Sequence, residues 1–307
     1  MKFDNLVNPF TDEQKEESFY ILQEYIQRNI QENTPFFIGR LSGNEPNLCG
    51  KLIKKQPIPY YLKHEMLTTA GIRFNKDSDY IDYLKLYTES CMNCSIMCIW
   101  SQSMYTQAKD YYTFLEQVNP NKQRICAQAL EPYYFMDKDK YRYDELFKDK
   151  KVLIISSHSK TIQQQIDKNK KLFEKNIFDE STEFYVYKPV QQNCNVNDEN
   201  SWKYHFEKMK YDLINIKKDF DYDIALLSCG GFGMILSNFI YKEQHTSVMY
   251  IGGPLQLYFG IFGNRWRGNS KILKIINNNW VNVLDEDKPK TLLENKNNRV
   301  CENNCYW

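Results

Sequence analysis

Glycine is scarce in this chain of 307 residues, with only 12, where ordinary usage would be about 7%. Histidine is rarer still at 4, and arginine stops at 8 beside 32 lysines. No run approaches the ~18 apolar residues of a membrane span. The opening MKFDNLVNPFTDEQKEE lacks the apolar core of a signal peptide. A charge surplus is also missing, with 40 basic residues against 39 acidic ones. Nucleic acid and anionic membrane surfaces draw on a basic excess, so neither is expected as a partner. Four histidines are too few for the dense His and Asp cluster of a sugar-phosphate or nucleotide hydrolase. No GxxxxGK[ST] occurs, which argues against a P-loop kinase or ATPase.

What is present is a core-forming composition: 42% hydrophobic and 15% aromatic residues exclude a disordered chain. Nine cysteines at irregular spacing, with no secretory leader, are expected as reduced, buried thiols in the cytoplasm. A zinc site joining Cys91 and Cys94 to Cys301 and Cys305 has poor spacing for a known zinc fold. The few glycines are clustered: eight lie between Gly230 and Gly268, and none between Gly71 and Gly230. Glycine serves where the backbone turns sharply or approaches a ligand closely.

Residues 11–31 read as a capped amphipathic helix, with Thr11 and Asp12 at its start and Phe19, Leu22, Ile26 and Ile30 on one face. Apolar strands are expected at 36–38, 95–100, 152–155, 184–190, 223–228 and in SVMYIGG. Helices are expected from about 46, over 79–91 and 101–118, from about 160, over 202–218 and from about 232. Cys91, Cys94 and Cys98 could instead line one helix face. Three strand–polar turn–helix units predict an α/β chain with a doubly wound, mostly parallel Rossmann-like sheet flanked by helices. One domain over 1–307 is expected, with 140–150 as the place where it could subdivide. Ligands of such sheets bind beyond the carboxyl ends of the strands, so the turns at 39–45, 156–160 and 229–233 should face one crevice.

Each turn carries groups suited to a phosphate or sugar. In GRLSGNE, Gly39 precedes Arg40, a bidentate cation, and Ser42, Gly43 and Asn44 lead to Glu45, a candidate general base or divalent-cation ligand. SSHSKT offers Ser157, His158 and Thr161 at a helix start. SCGGFG places Gly230, Gly231, Phe232 and Gly233 before a helix whose free N–H groups suit an anion. It is not the nicotinamide fingerprint: the third glycine position is Leu236, and the next strand ends in Gly252-Gly253 with no acidic residue. GGPLQLYFGIFGNRW adds Gln256 and Arg265 as hydrogen-bond donors and Trp266 as a stacking surface. Taken singly, each turn is equally well explained by ordinary capping, salt bridging or core packing.

The segments DYDIALLSCGGFGMILSNFIYK and SVMYIGGPLQLYFGIFGNRW resemble a bacterial and large-virus family linked to polysaccharide assembly, as do KKVLIISSHSKTIQQQ and the terminal ENNCYW. The chain looks like the GT-D-fold class of glycosyltransferases, whose members carry a strand-end R-x-G-D-G-E turn, matched here by Arg40-Leu41-Ser42-Gly43-Asn44-Glu45. The resemblance implies sugar transfer from a nucleoside diphosphate sugar donor to a glycan acceptor. For such a transfer Arg40, the 228–233 turn and Arg265 are expected on the diphosphate, with Glu45 as base or metal ligand. Mn²⁺ or Mg²⁺ accompanies that class. The turn's aspartate is lost here, with Asn44 in its place beside Glu45, which puts metal dependence in question. A non-catalytic module that binds a nucleotide sugar or glycan is the alternative.

Overall fold

The computed structural model describes residues 10–100, 108–118, 122–190, 198–289 and 306. Its centre is a sheet of seven strands: β1 (Phe37–Arg40), β2 (Ile96–Ile99), β3 (Arg124–Cys126), β4 (Lys151–Ser156), β5 (Glu183–Tyr187), β6 (Ile224–Ser228) and β7 (Ser247–Tyr250). Their spatial order is β3-β2-β1-β7-β6-β4-β5, and every pairing is parallel. The chain therefore folds as an α/β protein with a Rossmann-like, wholly parallel sheet flanked by helices. Strands from both sides of 140–150 share this one sheet, because β1 pairs with β7.

The strands are mostly apolar because both faces of the sheet are covered, apart from edge strand β5, which keeps exposed and half-buried residues. Ile38, Cys98, Ile154, Leu226 and Met249 point into one core layer. Their sequence neighbours Phe37, Met97, Leu153, Leu227 and Val248 point into the other. The second layer is closed by α2 (Asn44–Ile53), α3 (Tyr60–Thr68), α4 (Asp77–Asn93), α5 (Ala108–Gln117), α7 (Trp202–Asp219) and α8 (Gly233–Glu243). The first is closed by α1 (Asp12–Gln31), α6 (Ser159–Lys168), and the segments that follow β3 and β7. Short helices α9 (Leu255–Tyr258) and α10 (Ser270–Leu273) belong to the latter segment.

Local signals explain several boundaries. Thr11 caps α1 through its hydroxyl, and Gln14 returns the bond to the Thr11 N–H at 2.9 Å. Helix α4 ends at Asn93, so Cys91 lies on the helix while Cys98 lies in β2; the alternative single helix face is not formed. Helix α2 starts at Asn44, two residues before the expected Pro46. Strand β5 stops at Tyr187, short of Pro189, which has no N–H for a ladder. Strand β3 went unforeseen: three residues with half-exposed Arg124 leave too little apolar pattern to read. The expected helix over 101–118 is present as α5, and its first seven residues lie outside those described, as do Cys301 and Cys305.

Candidate active site at the carboxyl edge of the sheet

All seven strands point the same way, so the turns after β1, β4 and β6 share one edge of the sheet. The chain leaves β1 toward the α2 face and leaves β7 toward the opposite face. A crevice opens where neighbouring strands diverge in this way. Arg40, the last residue of β1, stands at that divergence.

Arg40 is only 7% exposed, and its Nε is buried without a hydrogen-bond partner. Among the described residues its guanidinium forms no hydrogen bond and no ion pair. Trp100 lies against it, 5.2 Å from guanidinium carbon to ring centroid. Gly252, at φ +72°, leaves room for it: a Cβ there would fall 2.6 Å from Nη1. Arginine stays charged at any physiological pH. A buried charge with unused donors is costly, and the donors point to an anion as their complement.

Glu45 sits in the first turn of α2, 4% exposed, and accepts a hydrogen bond from the Ser42 hydroxyl. Burial raises the phenol of Tyr250, and the charge of Glu45 adds to it while Arg40 opposes. Tyr250 thus feels both groups. Tyr83 and Cys49 also feel Glu45, which places this carboxyl over the α2–α4 layer. Gly43 precedes α2 as its cap without a side-chain bond, and Asn44 is the first helical residue. Gly39 faces Met234 and Cys94, so its missing side chain is a packing requirement.

The glycine turn after β6 is occupied by the protein itself. The Gly231 N–H donates to the Ala70 carbonyl at 2.7 Å. Tyr250 and Tyr83 hydroxyls donate to the carbonyls of Gly230 and Gly231, each at 2.8 Å. Gly230, at φ +56°, has Ala70 O 2.6 Å from its would-be Cβ, and Gly233 abuts the Tyr250 ring. Phe232 is buried in the core. These glycines admit neighbouring chain where the sequence suggested a phosphate.

The turn after β4 is likewise filled. Asp287, fully buried, accepts from the Thr161 N–H and hydroxyl, both at 2.7 Å, and from the Lys160 N–H at 3.2 Å. A carboxylate from the C-terminal segment thus takes the place an anionic ligand would have at α6. Burial holds the His158 imidazole down to about 4, against the pull of nearby Asp287. Ser157 remains half-buried beside it. The residues after β7 split in role. Gln256 is buried and donates to Ile261 O at 3.1 Å, and Trp266 is buried. Arg265 is exposed, donates to the Tyr306 hydroxyl at 2.8 Å and lies over that ring. Tyr306 also fills the space that Gly253 leaves.

One group escaped the sequence reading. Glu131 follows β3, is 5% exposed, and accepts from the Tyr133 hydroxyl at 3.0 Å. Burial pushes its carboxyl up to about 7, although Arg40, Tyr133 and Arg265 each pull it down. Its signal was a lone carboxylate inside the apolar run AQALEPYYFM. Close by, an open groove of about 550 Å³ is lined by Gln128, Tyr134, Arg265, Asn269 and Lys271 among others. Its size is that of a small-ligand site.

No protein-family model, curated protein or solved structure matches the chain. Among the described residues no helix is long and apolar enough to cross a membrane.

Proposed function

We propose that this protein is a glycosyltransferase of GT-D-like fold that moves a sugar from a nucleoside diphosphate sugar to a hydroxyl of a glycan or glycoconjugate. The observation that carries the reading is Arg40, a buried guanidinium whose donors meet no acceptor among the described residues, at the carboxyl end of a central parallel strand. Departure of a diphosphate builds negative charge on oxygen, and a preorganised cation in a dry crevice stabilises that charge. Arg265, which like Arg40 acts on the charge of Glu131, supplies a second cation. Glu45, fixed by Ser42, is the carboxylate at the donor end. The backbone of the glycine turn, already bonded to Ala70, supports the crevice wall and leaves the diphosphate to the arginines.

Hard divalent cations take six or more oxygen ligands, mostly carboxylates, carbonyls and water. Among the described residues no three His, Cys, Asp or Glu side chains gather as a metal set, and at this turn the Glu45 carboxyl lies beside the Ser42 hydroxyl. That donor set does not fit a dedicated Mn²⁺ or Mg²⁺ cage, so no step is routed through a metal.

The test is calorimetry with UDP, GDP and their sugars. Wild-type protein should bind at least one nucleoside diphosphate. Arg40→Met should weaken it ~10- to 100-fold, the effect of a lost charge-assisted hydrogen bond. Equal binding by the variant, or no binding by wild type, would overturn the reading. The loss of the turn's aspartate favours a second one, a non-catalytic binding module. Nucleotide-sugar binding without turnover would select it.

A further inference from the structure

Glu131 lies between two short 3-10 turns, Ala127–Leu130 and Pro132–Tyr134. Its backbone, at φ −124° and ψ 69°, lies outside both the helical and the extended regions. Main-chain bonds tie it to the groove: its N–H donates to Gln128 O at 2.9 Å, and its own carbonyl accepts from the Tyr134 N–H at 3.1 Å. Gln128 and Tyr134 both line that groove, and so does Arg265. Glu131 forms no ion pair among the described residues, yet Arg40 and Arg265 both act on its charge. A buried carboxyl kept for stability alone would be expected to close onto its cation. Here the carboxyl lies within electrostatic reach of both Arg40, at the end of β1, and Arg265, on the wall of the groove.

Resting on the nucleotide-sugar reading, we propose that Glu131 is the catalytic base that takes the acceptor's hydroxyl proton, and that the groove of Gln128, Tyr134, Arg265, Asn269 and Lys271 seats that acceptor. The acceptor O–H bond breaks and its proton moves to the Glu131 carboxylate. The freed oxygen bonds to the anomeric carbon of the donor sugar. The bond from that carbon to the diphosphate oxygen breaks, and its electron pair leaves on the diphosphate, which Arg40 and Arg265 neutralise. Glu131 then returns its proton to water. Proton transfer is most efficient from a group that titrates near the working pH, and burial brings Glu131 there. The groups that face it are Arg40 from β1, Arg265 from beyond β7, Tyr258 of α9, Cys126 of β3, and Tyr133 and Tyr134 of its own turn. Glu45 remains at the donor end, so the two carboxyls separate by function.

The experiment measures UDP or GDP release from the sugar nucleotides, with p-nitrophenyl glycosides or water as acceptor, alongside calorimetric binding of the same nucleotides. Glu131→Gln should keep nucleoside diphosphate affinity within about twofold and lower release by ~10²- to 10⁴-fold, the ordinary weight of a general base. The wild-type rate should climb as pH rises through about 7, and that limb should vanish in Glu131→Gln. Tyr133→Phe removes a bond that favours the ionised carboxyl, so it should keep activity and move the limb to higher pH. Wild-type release by Glu131→Gln, or nucleotide binding by wild type with no release to glycoside or water, would overturn the proposal. Failure of wild type to bind any nucleoside diphosphate would instead overturn the reading beneath it.

Discussion

Arg40 and Glu131 each bury an ionisable group that forms no ion pair among the described residues, and each should weaken the empty fold. Replacing a buried, poorly compensated charge by an apolar side chain of similar length is neutral or stabilising in many proteins. Arg40→Met should therefore melt at the wild-type temperature or above it while losing diphosphate affinity, as differential scanning calorimetry with and without UDP or GDP will read. It also removes a cation that pulls the Glu131 carboxyl down, so Glu131 should titrate above 7 in that variant, measurable by carbon NMR of labelled glutamate. Glu45→Gln should abolish sugar transfer with the circular dichroism spectrum unchanged, and full activity would remove Glu45 from the site. At this scale the sequence was half legible. Arg40 and Glu45 announced themselves at a strand end. Glu131 did not, because only packing by Tyr133 and Tyr258 makes a glutamate between Leu130 and Pro132 a buried one.

At the scale of elements, the glycine positions separate packing from ligand approach. Gly50 lies where α2 meets α5, and a Cβ there would fall on the Asp110 carbonyl. Backbone cannot move aside, so Gly50→Ala should cost ~1–3 kcal/mol or more and lower the melting temperature by several degrees. Gly268→Ala, with nothing within 4 Å, should leave it unchanged. Helix α6 gives a second case. Asp287→Asn removes the charge that holds its first turn, at an expected ~1–3 kcal/mol, and hydrogen exchange should quicken at Lys160 and Thr161. Strands β1, β4, β6 and β7 and their turns were readable from apolar runs followed by polar turns. What fills those turns was not: Ala70, Tyr250 and Asp287 come from remote stretches, and a glycine that admits a tyrosine ring has the same letter as one that admits a phosphate.

Over the whole molecule, His158 and Glu131 set opposing pH dependences. His158 in the fold titrates at about 4, below its ordinary 6.5, so the unfolded chain takes up the proton first. Stability is then lost as pH falls from about 6.5 to about 4. Glu131 titrates at about 7, above the ordinary 4.5, so the fold keeps the proton longer and stability is lost as pH rises across that interval. Each spans about 2.5 pH units, on the order of 3 kcal/mol. Where the intervals overlap the two slopes cancel. Glu131→Gln should thus match wild type in urea denaturation near pH 4.5 and exceed it above pH 7. A constant gap across that range would place the Glu131 titration elsewhere.

The position of β1 has a further consequence, for the order of assembly. Phe37 pairs with Val248, about two hundred residues later in the chain. At ~5–20 residues per second of synthesis, β1 waits roughly ten to forty seconds for its second neighbour. Until then one side of a strand that opens Phe37-Ile38 is an open edge, the kind of surface that pairs with other chains. Arg40 must be desolvated only when β7 arrives and Gly252 closes over it. The burial of that charge is therefore a late event, and folding yield should depend more on the 247–252 segment than on any other stretch of comparable length.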